Sequence, residues 1–258
     1  MKRLIASVLL IMSLAAIFFS TTKIKEIDTS IQESKAAYDV LRTYRSKETA
    51  NTTENTHAEN NAPSEEDIYV PTIVIDYESL TEVGRGTSAW LYSPGTEIDY
   101  PIMQADDYNY YLYHLPDGTY NLNGSLFIDY NNNADFSDTL TVIYGHNMRS
   151  GMMFGSLKEY KKQSYYDEHP YMYIYTQGKD YRLDLLYGCV IGESQWRERA
   201  FMYKENLSTL LTHASHNTTF TSNVRYNPGS KIVALSTCSY EFDDARYVVL
   251  GVLREATN

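Results

Sequence analysis

Two stretches decide the fold: Thr139-Leu-Thr-Val-Ile-Tyr-Gly-His146 and Ile232-Val-Ala-Leu-Ser-Thr-Cys238. Each is a short apolar run rich in β-branched residues, which reads as a buried strand. Each also ends in a side chain that can do chemistry. A strand end delivers its side chain to the rim of a sheet, where a substrate can reach it. Arg246 opens a further apolar run eight positions after Cys238. A thiol, an imidazole and a guanidinium at three strand ends can therefore share one rim.

Working outward, the same signature repeats from Tyr69 onward. Runs rich in Val, Ile, Tyr and Thr alternate with Gly, Pro, Asn and Asp turns. Strands are expected at Thr72–Asp76, Ala89–Tyr92, Tyr100–Met103, Ser125–Asp129, Thr139–Tyr144, Tyr171–Thr176, Tyr181–Ile191, Lys231–Ser236 and Arg246–Leu253. Short strands at such spacing suggest a mainly β domain, a closed barrel or a sandwich. Helices are expected at Met152–Lys161 and at Gln195–His213, the latter burying Phe201, Leu207, Leu210 and Leu211. The 25 tyrosines suit half-buried strands, with the ring packed and the hydroxyl reaching water.

The amino-terminal third differs. Lys2 and Arg3 precede an uncharged run from Leu4 to Thr22. That length is near the minimum for a membrane-spanning helix, and no small-x-small cleavage site closes it. Residues 1–25 are accordingly expected to form a single-pass anchor, holding the remainder on the extracellular face of the cell membrane, with a cleaved signal peptide as the competing reading. Residues 26–47 read as an amphipathic helix, with Ile27, Ile31, Tyr38 and Leu41 as its stripe. Residues 48–68 contain mostly Asn, Thr, Glu and Ala and read as a flexible polar spacer. Residues 69–258 then form the catalytic domain.

Composition sets outer limits. The chain has 258 residues, 43% of them hydrophobic, which is ample for a core. Its formal charge of −11 argues against nucleic acid as a partner. Two cysteines allow neither a disulfide framework nor a four-cysteine zinc site.

The chemistry of the rim follows from its residue types. A free thiol is mostly protonated at neutral pH and is then a poor nucleophile. A nearby imidazolium stabilises the thiolate and can protonate a leaving amine. A guanidinium can stabilise the oxyanion that forms when a thiolate attacks an amide. Together Cys238, His146 and Arg246 make an acyl-transfer site that needs no metal or cofactor. Taken alone, each has a plainer use. Cys238 could be a small buried hydrophobe, His146 a hydrogen-bonded turn residue, and Arg246 a surface partner of Asp243 or Asp244. The residues leave open a transpeptidase, a cysteine protease or amidase of another fold, and a non-catalytic binding module.

The segments Tyr144-Gly-His146-Asn-Met, Met152-Met-Phe-Gly-Ser-Leu157, Leu235-Ser-Thr-Cys238, Arg246-Tyr-Val-Val and Asn123-Gly-Ser-Leu-Phe-Ile-Asp-Tyr130 resemble the sortases, specifically class B. The resemblance runs from about Ile73 to Leu253. It implies a closed sortase β-barrel of about eight strands with peripheral helices, preceded by a transmembrane helix. It implies a cysteine transpeptidase, with Cys238 as nucleophile, His146 as general acid/base and Arg246 as oxyanion or positioning residue. Ser236, Thr237 and Leu112 would line the substrate groove. The acyl donor would be an exported protein carrying a carboxyl-terminal sorting motif cleaved after its threonine. The acceptor would be an amine of a peptidoglycan precursor or a pilin lysine, in a Gram-positive cell wall. One departure stands out: Ser239-Tyr-Glu241 follows the cysteine, where several relatives place an acidic residue sooner.

Other signals are set aside. Cys189 sits mid-strand and reads as core. Asp129-Tyr-Asn131-Asn-Asn133-Ala-Asp135 faintly resembles a calcium loop, but Ala134 replaces the glycine and Leu140 the closing glutamate. No His-x-x-x-His pair suggests zinc.

Overall fold

The computed structural model describes residues 2–46, 68, 70–84, 86–197 and 207–256. Eight strands carry the apolar runs: β1 (Thr87–Tyr92), β2 (Asp99–Met103), β3 (Leu126–Ile128), β4 (Leu140–Tyr144), β5 (Tyr171–Tyr175), β6 (Asp180–Gly192), β7 (Lys231–Cys238) and β8 (Ala245–Glu255). They close in the order β1-β2-β3-β4-β7-β8-β6-β5, and closure leaves no free edge. The pairs β2/β3 and β4/β7 are parallel and the others antiparallel.

Alternation of side chains explains why β4, β7 and β8 are apolar almost throughout. Val233, Leu235, Tyr247 and Val249 point into the barrel cluster. Leu140, Val142, Ile232, Ala234, Val248, Leu250 and Val252 belong to a second cluster on the other side of the same strands. Two short helices supply its cover, α4 (Glu193–Arg197) through Trp196 and α5 (Leu207–His216) through Leu210, Leu211 and Ala214. Both faces of these strands are thus buried, which removes the usual polar alternation.

Three expected elements differ. Residues 72–76 form no strand. They cross the end of the amino-terminal helix through an isolated Arg45–Ile75 bridge, with Ser46 N–H donating to Val74 O at 2.9 Å. Asp76 then caps α2 (Tyr77–Val83) by accepting from Ser79 N–H. Residues 152–161 form turns and then a 3-10 helix over Leu157–Lys161. Gly151 and Met153 have φ of 85° and 53°, which interrupts a right-handed helix. The helix expected at 195–213 is represented by α4 and α5. Of its expected buried face, Leu210 and Leu211 are buried and Leu207 is half-buried, while Phe201 lies outside the described residues. A short helix α3 (Gln163–Glu168) completes the set.

The amino-terminal helix α1 runs unbroken from Lys2 to Leu41. Its last three turns dock on the barrel through Ser30, Ser34, Tyr38 and Leu41, all buried. Ile31 packs at the edge, whereas Ile27 is exposed. The buried stripe is therefore partly polar, and two of its positions are serines rather than the isoleucines that sequence favoured. The single-pass anchor expected over residues 1–25 is not supported. Among the described residues no helix is long and apolar enough to cross a membrane. Ser7, Ser13, Ser20, Thr21 and Thr22 interrupt the apolar character of the uncharged run. The assignment to the extracellular face rested on that anchor and falls with it. The polar spacer expected at 48–68 lies outside the described residues except for Ile68.

One carboxylate ties this helix end to the barrel. Asp99 on β2 accepts from Trp90 Nε1 at 2.8 Å and from Arg45 Nε at 3.1 Å, and Arg42 lies 3.6 Å away. Arg42 also covers the Tyr100 ring. Replacing Asp99 with Ala leaves a buried indole N–H and the Arg45 guanidinium without their carboxylate, while Arg42 keeps Asp39 and the residue-99 carbonyl. Asp99→Ala is expected to lower stability by about 2–4 kcal/mol. Urea titration checks this, as a lower midpoint with an unchanged slope.

Candidate active site

The alternation that builds the second cluster also builds the site. On β4 the outward set Leu140, Val142 and Tyr144 continues to His146. On β7 the set Ile232, Ala234 and Ser236 continues to Cys238. On β8 the set Val252, Leu250 and Val248 continues to Arg246. Register aligns them: Tyr144 pairs with Ser236, Ser236 with Val248, and Cys238 with Arg246. Beyond the apolar cover, at the same end of three adjacent strands, the three polar side chains enter one groove of about 300 Å³.

Hydrogen bonds fix the walls of that groove. Gly145 N–H donates to Ser236 O at 3.2 Å, extending the β4/β7 ladder by one residue. Thr237 Oγ1 donates to Gly145 O at 2.7 Å, and Asn147 Nδ2 donates to Cys238 O at 2.8 Å. The histidine loop is thereby stitched to the cysteine strand on both sides of His146. Gly145 is required by space: a Cβ there would come within 2.4 Å of Leu126 Cδ2 and 2.8 Å of Phe154 Cδ2. His146 Nε2 lies 2.8 Å from Leu112 O. A carbonyl only accepts, so this contact requires a proton on Nε2.

Arg246 pairs with neither Asp243 nor Asp244. Its Nη2 donates to Glu193 Oε2 at 2.8 Å, and its Nη1 donates to Ala245 O. Glu193 follows β6, whose Ile191 pairs with Arg246, so the sheet register sets this ion pair. Arg197, one turn along α4, lies 3.4 Å from the same carboxylate. Sequence gave Glu193 no role, because only the β6/β8 pairing reveals its position.

Ser236, Thr237 and Leu112 all line the groove. They differ in what they offer. Thr237 spends its hydroxyl on Gly145, and Leu112 presents a side chain while its carbonyl holds His146. Ser236 is 2% exposed, and its Oγ has no hydrogen-bond partner among the described residues. The opposite wall is aromatic, with Tyr108 edge-on to Tyr144 and Arg197 over the Tyr108 ring. Burial, with Asp129 nearby, raises the Tyr144 phenol well above its ordinary range, so it stays neutral and donates to Asp129.

The segment after the cysteine closes on itself. Glu241 accepts from both Lys161 Nζ and Ser239 Oγ. Partial burial opposes its charge, but those two hydrogen bonds prevail and hold the carboxyl at about 2. The acid displaced along the sequence therefore returns to the residue beside Cys238. The Asp129–Asp135 loop is likewise self-satisfied, with Asn132 joined to Asp138, Leu140 and Val142. Among the described residues no cluster is suited to a metal ion.

Both cysteines are free; Cys189 is 1% exposed within the second cluster, and Cys238 is half-buried. An alkylating reagent is expected to label Cys238 well before Cys189, as read by peptide mapping. A depressed carboxyl favours the fold above its unfolded pKa of about 4.3, and that contribution fades as pH falls toward 2. Lys161→Gln is expected to cost under about 1 kcal/mol at pH 7, because the pair is partly exposed, and to cost less below pH 2, where the Glu241 contribution is gone and the Lys161 contact with the Tyr247 ring remains. Denaturation at both pH values checks the sign.

No protein-family model matches the chain. It is 32% identical to sortase B of Listeria monocytogenes over 183 residues, covering 69% of this chain and 74% of that protein. The structure of Clostridium perfringens sortase B superposes with a TM-score of 0.64 at 27% identity, covering 69% of this chain and 99% of the other. A Staphylococcus aureus sortase B–substrate complex has the same fold, with a TM-score of 0.65 at 24% identity over 70% of this chain and 86% of the other. With the closed barrel, the class B segments and this likeness agreeing, the chain belongs to the sortase B family and is a sortase-type cysteine transpeptidase.

Proposed function

We propose that Cys238 is the nucleophile of this transpeptidase, His146 its general acid and base, and Arg246 its oxyanion donor. The observation that carries the reading is that all three line one groove, with Cys238 and Arg246 directly opposite across β7/β8. The Cys238 thiolate attacks the carbonyl carbon after the threonine of a carboxyl-terminal sorting motif. The carbonyl oxygen becomes an oxyanion, which the Arg246 guanidinium meets. Arg246 has five N–H donors, and its bonds to Glu193 and Ala245 leave others to serve that oxygen. As the tetrahedral species collapses, the C–N bond breaks and His146 protonates the leaving amine. The acyl group remains as a thioester on Cys238. An acceptor amine then attacks, His146 takes its proton, and the thiolate leaves.

The acyl donor in this reading is an exported protein with a sorting motif. The acceptor is a peptidoglycan-precursor amine or a pilin lysine of a Gram-positive cell wall. Support for a peptide donor comes from the groove's buried Ser236 hydroxyl, which suits a peptide polar group. The Staphylococcus aureus protein of the same fold, solved with its substrate, points the same way.

The full chain is to be incubated with a fluorogenic sorting-motif peptide, with and without an amine. Cys238→Ala is expected to abolish turnover. His146→Ala is expected to lower it roughly 10²–10⁴-fold and Arg246→Ala roughly 10²–10³-fold, with folding retained. Mass spectrometry should find the acyl group on Cys238 before the amine is added and an amide product afterwards. Near-normal turnover in any one variant removes that residue from the mechanism.

A further inference from the structure

The carbonyl that holds His146 is itself held from α1. Leu112 ends a 3-10 helix over Tyr110–Leu112, and the carbonyls around it are engaged. Ser125 N–H donates to Tyr111 O at 2.8 Å, Asn121 N–H donates to Tyr113 O at 2.8 Å, and Ser125 Oγ donates to His114 O at 2.9 Å. With the peptide planes on both sides pinned, the Leu112 carbonyl faces the other way, toward His146. Gly124 presses on it: a Cβ at Gly124 would stand 2.5 Å from both Leu112 O and Tyr111 O, and its φ is 57°.

The segment that does the pinning, 121–125, is in turn clamped to α1. Ser30 Oγ donates to Asn121 Oδ1 at 2.9 Å and accepts from Leu122 N–H at 3.1 Å. Asn121 Nδ2 donates to Ser30 O at 2.9 Å, and Asn123 Nδ2 donates to Ser34 Oγ. Tyr38 Oη donates to Gly124 O at 2.8 Å. The side chains of Ser30, Ser34, Tyr38, Asn121 and Asn123 are buried and Leu122 is half-buried, so water can replace few of these bonds. Breaking one frees the 121–125 segment rather than exchanging partners.

We propose that Asn121, with Ser30 of α1, is a positioning residue for the transpeptidase reaction, acting through the Leu112 carbonyl to keep the proton on His146 Nε2. Nδ1 is then the nitrogen that exchanges the proton in catalysis. This rests on the role proposed above for His146. A loosened Leu112 carbonyl lets the neutral ring adopt its other tautomer and tilt, which slows proton transfer while the rest of the groove wall, Tyr144, Trp196, Ser236 and Thr237, stays in place.

The test compares Asn121→Ala with the wild type in the full chain. Nitrogen-15 chemical shifts of His146 report which ring nitrogen carries the proton, independently of activity. With the His146 ring in its neutral form, the expected result is a wild-type signal dominated by Nε2–H and a variant with mixed tautomers; in turnover, kcat is lower by roughly tenfold and KM is within about twofold. If Asn121→Ala does not fold, Ser30→Ala removes the hydroxyl that bridges Asn121 and Leu122 and is read in the same way. A folded variant with unchanged His146 shifts and unchanged kcat overturns the proposal, as does a loss confined to KM. His146→Ala, assayed alongside, separates the two readings. Full activity in that variant defeats the catalytic assignment, whereas a normal loss there with a silent Asn121→Ala defeats only the coupling.

Discussion

Period-two alternation along three neighbouring strands governs this molecule. Positions 140, 142 and 144 on β4, 232 and 234 on β7, and 248, 250 and 252 on β8 supply the apolar floor beneath α4 and α5. The same parity carried two residues further gives His146, Ser236 with Cys238, and Arg246. The groups proposed for catalysis are thus the polar continuation of a hydrophobic face, beginning where α4 and α5 no longer cover it. A slip of one residue in either β7 pairing would turn Cys238 into the barrel interior and destroy both core and site. Packing and chemistry consequently select the same register.

Much of this is legible in the sequence. Eight of the nine expected runs form strands, because β-branched clusters between turn residues leave little alternative. The run at 72–76 has the same composition, yet every strand edge in the closed barrel is already taken. Helical periodicity at 152–161 is genuine but loses to two left-handed residues that fold the chain back beneath His146. What sequence cannot reveal are partners set by pairing across distance. Glu193 beside Arg246, the Leu112 carbonyl beside His146, and Asn121 beside Ser30 are separated in the chain by 53, 34 and 91 positions. None lies in a local motif.

The two ends of the groove are stabilised by different physics. Around Cys238 the contacts are charged and partly exposed: Lys161 with Glu241, and Arg246 with Glu193. Such pairs respond to salt and contribute modestly to the fold. Around His146 they are neutral and buried, running through amides and hydroxyls into α1. Neutral buried bonds are insensitive to screening, and losing one partner is costly. The thiol side can therefore adjust as substrate enters while the imidazole side keeps its geometry.

The parallel pairing of β4 with β7 has a kinetic consequence. A parallel pair cannot be joined by a tight turn, and here β5, β6, α3, α4 and α5 intervene before β7 completes the sheet. Contacts between such distant segments form slowly during folding. During synthesis, β7 and β8 are also the last of the described strands to leave the ribosome. A nascent chain therefore brings the thiol and imidazole proposed for catalysis together only when the barrel shuts.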